Sequence, residues 1–134
     1  MSDVIRYALA VRRARALAVL NTLDGASKPA KLLLYGGAPP PDFGPAASAL
    51  VEIVLSKPSG TISDTAELIL TGATEGMVSA AGRAAWARLV TGDGQPVADM
   101  DVGLPGAGAA VELPIVDLQP GALVRLGGAK LLEP

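Results

Sequence analysis

The chain has 134 residues, a length typical of one domain, and half of them are hydrophobic although only Tyr7, Tyr35, Phe43 and Trp86 are aromatic. It contains no cysteine and no histidine, which excludes disulfides, thiolate nucleophiles, imidazole bases and the zinc or haem sites that use these ligands. The net charge of −2 argues against bulk nucleic-acid binding, because phosphate contacts need a basic surface.

The sequence predicts one N-terminal α-helix, which together with its N-terminal cap covers residues 1–24. Ser2 and Asp3 are good N-cap residues, the stretch from Val4 to Leu23 contains no proline or glycine, and Gly25 can end the helix. Its apolar residues do not form a single stripe on a helical wheel. We therefore expect the helix to pack both on its own domain and on another subunit.

Charge is distributed unevenly along the chain. Residues 1–30 carry a net +3, whereas the remainder carries −5. The arginines of the helix either form a solvated face or contact an acidic surface of a neighbouring subunit. These arginines are Arg6, Arg12, Arg13 and Arg15. No apolar run approaches the roughly 18 residues of a membrane span, so we expect no membrane insertion.

After Gly25 the sequence changes to short β-prone runs separated by Gly, Pro, Ser and Asp clusters. This pattern predicts a mainly β domain over residues 25–134, an antiparallel β-sandwich of jelly-roll or immunoglobulin-like type with an aliphatic core. Together with the helix it would form a single structural domain. The predicted strands are Lys31–Tyr35, Ala49–Ser56, Glu67–Thr71, Met77–Ala81, Arg83–Thr91, Val97–Val102, Ala109–Leu113 and Ala122–Leu126.

Two segments outside these strands are candidate contact arms. Gly36 to Gly44 contains three consecutive prolines, which cannot donate to a sheet ladder, so it is a loop that either joins strands or docks on a partner. Its candidate contact residues are Pro40 and Phe43. The last residues, Lys130 to Pro134, are either an extending arm or a frayed end.

One hairpin has a predictable register. If Asp93-Gly94 is a two-residue type I′ turn, the pairing of the flanking strands is fixed. An apolar face then pairs Leu89 with Ala98, Ala87 with Met100 and Ala85 with Val102; the other face pairs Val90 with Val97, Arg88 with Asp99 and Trp86 with Asp101. Trp86 on that second face is either an interface anchor or core covered by another sheet, a loop or the helix.

No catalytic or cofactor pattern emerges from the remaining residues. Asp93, Asp99 and Asp101 offer oxygen ligands, but their spacing fits no calcium loop. The serines lack a histidine base, and no glycine motif lies in a strand-to-helix context. We predict that the protein is not an enzyme and takes no cofactor or metal.

The hairpin carries a family resemblance. The run Ala84 to Val90, then Gly92-Asp93-Gly94, Val97, Asp99 and Val102-Gly103, resembles the C-terminal half of small proteins encoded in phage and prophage structural gene clusters. The arginine-containing helix, the Leu32 to Tyr35 strand followed by Gly and Pro, and the Leu50 to Ser56 strand also match. The resemblance implies a bacteriophage virion structural protein, a tail or capsid component made in the host cytoplasm.

Such a subunit would act through protein–protein contacts with itself, as a homo-oligomer, and with other virion proteins. The candidate interface residues are Arg6, Arg12, Arg13, Arg15, Pro40, Phe43, Trp86 and Arg88. The alternative is a ligand-binding β-sandwich module for carbohydrate or host-surface adhesion, for which four scattered aromatic residues make a poor stacking platform.

Overall fold

The computed structural model describes residues 6–132 and is mainly β with one N-terminal helix, as predicted. The helix is α1 (Leu9–Asp24). The strands are β1 (Lys31–Tyr35), β2 (Val51–Ile62), β3 (Glu67–Gly72), β4 (Gly76–Met77), β5 (Gly82–Arg83), β6 (Trp86–Val90), β7 (Pro96–Gly103), β8 (Val111–Glu112), β9 (Asp117–Leu118), β10 (Leu123–Val124) and β11 (Gly128–Leu132).

Helix α1 begins later than the sequence predicts. The backbone at Ala8 is extended, with φ −60° and ψ 152°, and no side-chain oxygen caps the first turn. The predicted N-cap residues Ser2 and Asp3, together with Val4 and Ile5, lie outside the described residues. The C-terminal end is close to the prediction, because the helix stops at Asp24 and Gly25 follows.

Seven strands form a closed barrel in the order β1-β2-β3-β11-β8-β7-β6, where the sequence predicted two packed sheets. Closure depends on β11, which pairs with β3 on one side and with β8 on the other. The pairing of β7 with β8 is parallel, whereas the other pairs of the barrel are antiparallel. The four short strands left over form the ladders β4–β10 and β5–β9.

Several strand boundaries differ from the prediction. Strand β2 continues past Ser56 to Ile62, and its register with β3 shifts between Leu55 and Gly60. The predicted strand Arg83–Thr91 is two strands, because Ala84 and Ala85 separate β5 from β6. The terminal arm prediction is wrong for Lys130 to Leu132, which belong to β11 in the barrel wall; Glu133 and Pro134 lie outside the described residues.

The core inside the barrel is aliphatic, as the composition predicted. Its largest fully buried side chains are leucine, isoleucine and valine, among them Leu32, Leu34, Ile53, Leu68 and Leu89. Helix α1 covers β2 and β3 and adds Ala16 and Leu23 to this core. The buried aromatic residues lie elsewhere, on the outer side of the barrel.

The β6–β7 hairpin has the predicted register but not the predicted turn. Four pairs match, from Trp86 with Asp101 to Leu89 with Ala98. The type I′ prediction is wrong, because the turn is a three-residue loop, Gly92 to Gly94, in which only Gly94 has a positive φ. Because the loop is longer than predicted, Val90 pairs with Pro96 instead of with Val97. A bulge after Pro96 then restores the predicted register from the pair of Leu89 and Ala98 onwards.

Candidate interaction surfaces

The outer side of the barrel carries a stacked pair of aromatic rings. Tyr35 at the end of β1 lies opposite Trp86 at the start of β6, and their ring centroids are 4.4 Å apart with planes inclined by 18°. The Trp86 Nε1–H donates to the Gly36 carbonyl at 3.1 Å. The loop that follows β1 therefore covers Trp86, which is only 4% exposed.

Arg88 lies on the same outer side, two residues after Trp86. Its Nε and Nη2 donate to the two carboxylate oxygens of Asp99 at 2.8 and 3.1 Å, and its Nη1 donates to the Gly44 carbonyl at 2.9 Å. The guanidinium also lies over the rings of Trp86 and Phe43. Arg88 thus binds the loop to the barrel from its far end, while Trp86 binds the near end.

Two pKa shifts follow from this arrangement. The hydrogen bonds to Asp99 hold the pKa of Arg88 above its ordinary value, although burial opposes them, so the guanidinium stays charged. Burial raises the pKa of the Tyr35 hydroxyl above its ordinary value, and the nearby charge of Arg88 offsets part of that rise. A neutral tyrosine and a charged arginine are therefore the stable forms under the loop.

The loop Gly36 to Gly44 has two sides. One side holds the carbonyls that bind Trp86 and Arg88; the other presents Phe43, which is 49% exposed. Asp42 and Phe43 have φ values of 54° and 55°, a left-handed backbone that other contacts must hold in place. We call Pro40 and Phe43 the loop surface; Pro40 is half-buried. The structure thus brings Phe43, Trp86 and Arg88 together, with Pro40 in the same loop.

The four arginines of the N-terminal region differ in their exposure to solvent. Arg12 and Arg13 are half-buried, and Arg13 donates to the Ser63 carbonyl before β3. Arg6 and Arg15 are exposed, and the guanidinium of Arg15 lies 4.7 Å from the centre of the Tyr7 ring. The basic character that the sequence assigned to the whole helix is therefore exposed to solvent mainly at Arg6 and Arg15.

Helix α1 is apolar on the side that faces away from the barrel. Val11 and Leu17 are 44% and 47% exposed. Three alanines, Ala10, Ala14 and Ala18, are exposed on the same side. We call these five residues the helix outer face. Because the opposite side packs on the barrel, the helix is apolar on two sides, as the helical wheel predicted.

The other sequence candidates have local partners. Asp99 pairs with Arg88, and Asp101 Oδ1 accepts from the Ala110 N–H at 2.8 Å. Within residues 6–132, no three Asp or Glu side chains are close enough together to hold a metal ion. In the same part of the chain, no helix has the length and apolarity to cross a membrane. The stacking partner Tyr35 was missed, because only the pairing of β1 with β6 brings it to Trp86.

Comparison with known proteins adds no relative. No protein-family model, no curated protein and no solved structure matches this chain. The fold is a small closed β-barrel with one covering helix.

Proposed function

We propose that this protein is a non-enzymatic structural subunit of a phage or prophage particle, which assembles through contacts with copies of itself and with other virion proteins. The observation that carries the proposal is the helix outer face. Exposed apolar side chains such as Val11 and Leu17 are stabilised when a partner removes them from water. Burying one large aliphatic side chain contributes about 1.5–3 kcal/mol.

The charge distribution supports a contact between like subunits. Arg15 follows Val11 by one helical turn, and Arg6 is exposed before the helix, whereas residues 31–134 carry a net charge of −5. The basic N-terminal region of one copy therefore complements the acidic barrel of another in charge. A head-to-tail contact of this kind repeats by symmetry into a ring or a filament, the arrangements that a virion subunit needs.

The loop surface is the second contact in this proposal. Phe43 is exposed on a loop that Trp86 and Arg88 hold against the barrel, so the ring is presented on a supported segment. A preorganised contact residue loses less conformational freedom on binding than a mobile one. In this role Trp86 and Arg88 position the loop, and Phe43 with Pro40 touches the partner.

The carbohydrate-binding alternative gains no support from the rings. Sugars stack on exposed aromatic faces, but Tyr35 and Trp86 stack on each other beneath the loop. Tyr7 and Phe43 are exposed, but Arg15 lies over the Tyr7 ring and Arg88 lies over the Phe43 ring. We therefore retain a single proposed function.

The proposal is tested by measuring absolute mass in solution with light scattering over a concentration series. We expect the wild-type chain to form a defined oligomer and Leu17→Glu to shift it to monomer. Leu104→Glu is the matched control, because Leu104 is 45% exposed but lies in the turn after β7. A wild-type chain that stays monomeric at the highest concentration, or an equal effect of both variants, would contradict self-assembly through α1.

A further inference from the structure

The barrel wall has an opening between β7 and β11. The strand between them, β8, is two residues long and pairs only with Val102 and Gly103 of β7 and with Gly128 and Ala129 of β11. Within the described residues, the preceding part of β7 and the following part of β11 have no strand partner on this side. The wall thus has two facing sheet edges with a gap between them.

The gap has the width of one strand. Neighbouring strands lie about 4.8 Å apart, so two strands separated by β8 are roughly 10 Å apart at that end. A chain segment that continued the line of β8 would lie at hydrogen-bonding distance from both edges. The opening has a volume of about 630 Å³, within the range of peptide and small-ligand sites.

Backbone groups on the two edges are directed into the opening. The Val102 N–H donates to the Ala85 carbonyl, so Val102 and, by alternation, Met100 direct their backbone groups toward β6. The N–H and C=O of Asp99 therefore point the other way. Across the opening, the Lys130 N–H is already bonded to the Ala110 carbonyl. By alternation, the backbone N–H and C=O of Leu132 point to the same side and into the gap.

The side chains around the opening have two characters. Its floor is apolar and consists of Ala98, Met100 and Leu131, which are half-buried against the barrel core. Its rim is acidic: Glu67, Asp101 and Glu112 stand against one lining cation, Lys130. A fourth lining carboxylate, Asp99, is paired with Arg88.

We propose that this opening binds an extended peptide segment as an added strand, with apolar side chains on the floor and alternating basic side chains on the rim. Successive residues of a strand point to opposite sides, so one segment satisfies both surfaces at once. The carboxylates of the rim disfavour an acidic segment through like-charge repulsion. This site is distinct from the helix outer face and the loop surface, and it does not depend on the proposed function.

The test uses the full chain and three labelled synthetic hexapeptides: alternating Lys and Val, alternating Glu and Val, and the Lys–Val peptide with N-methylated backbone amides. We expect only the first to bind, as measured by fluorescence anisotropy. In nitrogen-15 spectra, its binding should shift the amide signals of β7 and β11 and slow hydrogen exchange at the Asp99 N–H.

A pair of matched double variants tests the rim. Glu67→Gln with Glu112→Gln removes two rim carboxylates, whereas Glu52→Gln with Glu75→Gln removes two carboxylates outside the opening and leaves the same net charge. We expect the first pair to weaken binding of the Lys–Val peptide about tenfold or more and the second to change it less than about twofold. No binding of that peptide, equal binding of the acidic or N-methylated peptide, or signal shifts confined to α1 and the loop surface would overturn the proposal.

Discussion

Two arginine–aspartate pairs join neighbouring strands of this protein, and they differ in their exposure to solvent. The side chains of Arg88 and Asp99 are 9% and 17% exposed, whereas those of Arg83 and Asp117 are 69% and 70% exposed. An exposed pair is screened by water and contributes little, but removing one partner of a buried pair leaves the other charge without compensation.

We therefore expect Arg88→Ala to lower the free energy of unfolding by about 3 kcal/mol, because Asp99 and the Gly44 carbonyl both lose their donor. Arg83→Ala should lower it by less than about 0.5 kcal/mol. Urea unfolding of both variants at neutral pH measures the two values. Equal losses would contradict the view that Arg88 holds the loop to the barrel.

The Tyr35 hydroxyl gives the protein a specific sensitivity to alkali. Its pKa is raised in the folded state by burial, so the folded protein keeps this proton at a pH where the unfolded chain has lost it. The contribution to stability is complete below the ordinary tyrosine value of about 10 and is lost as the pH rises above it. Tyr35→Phe has no such proton to lose.

We expect wild type and Tyr35→Phe to differ by a constant free energy of unfolding between pH 7 and about 9. Above about pH 10 the wild type should lose stability relative to the variant. Urea unfolding across this pH range measures the difference. Parallel pH profiles for the two proteins would contradict a buried, neutral Tyr35.

Gly60 allows strands β2 and β3 to approach each other closely. A Cβ on Gly60 of β2 would lie 2.1 Å from the Ile69 carbonyl oxygen of β3, at the point where their register resumes after the shift. A Cβ on Gly72 would meet its nearest atom at 3.5 Å, an ordinary contact. The two positions lie in adjacent strands, so they form a matched pair.

We expect Gly60→Ala to destabilise the protein by about 1–3 kcal/mol, because the strands must move apart. Gly72→Ala should be neutral or stabilise by up to about 1 kcal/mol, since alanine restricts the unfolded chain without a clash. Thermal unfolding followed by circular dichroism distinguishes them. A loss at Gly72 as large as that at Gly60 would show that close approach is not the cause.

The β6–β7 hairpin illustrates what the sequence can and cannot predict. The pairing of Leu89 with Ala98 and of Arg88 with Asp99 was predicted from a two-residue turn at Asp93-Gly94. It is correct although the turn is not, because one bulged residue in β7 offsets the longer loop. The turn type was not predictable from Asp93-Gly94, since Thr91 and Gln95 close a three-residue loop instead. Nothing in the sequence indicates the bulge in β7 that compensates for the longer loop.

The barrel itself depends on contacts between distant parts of the chain. β1 was predicted with its correct bounds, but its neighbour β6 begins only at Trp86, and nothing local indicates that Tyr35 and Trp86 will stack. β11 was missed because Gly127 and Gly128 make the segment look like a terminus. The apolar character of α1 on two sides is a local property and could therefore be predicted from the sequence.

At the scale of the whole molecule, the three candidate contact surfaces have different chemistry. The helix outer face is aliphatic, the loop surface presents an aromatic ring, and the opening between β7 and β11 combines a sheet edge with an acidic rim. A subunit with unlike surfaces can contact several neighbours without competition between them.

Closure of the barrel rests on β11, and two adjacent residues of that strand test it. Ala129 is fully buried and paired with Val111, whereas the Lys130 side chain is exposed. Glutamine at position 129 must place an amide inside an aliphatic core, at a cost of several kcal/mol for the unpaired polar group and the added volume. At position 130, glutamine replaces the solvated ammonium group of lysine by a solvated amide.

We expect Ala129→Gln to lose the cooperative thermal transition and the dispersed amide spectrum of the wild type, because β3 and β8 are then no longer joined. Lys130→Gln should unfold within about 0.5 kcal/mol of the wild type. Circular dichroism and nitrogen-15 spectra of both variants measure these outcomes. If Ala129→Gln retained a wild-type melting transition, β11 would be a dispensable arm, and the strand order that closes this barrel would be wrong.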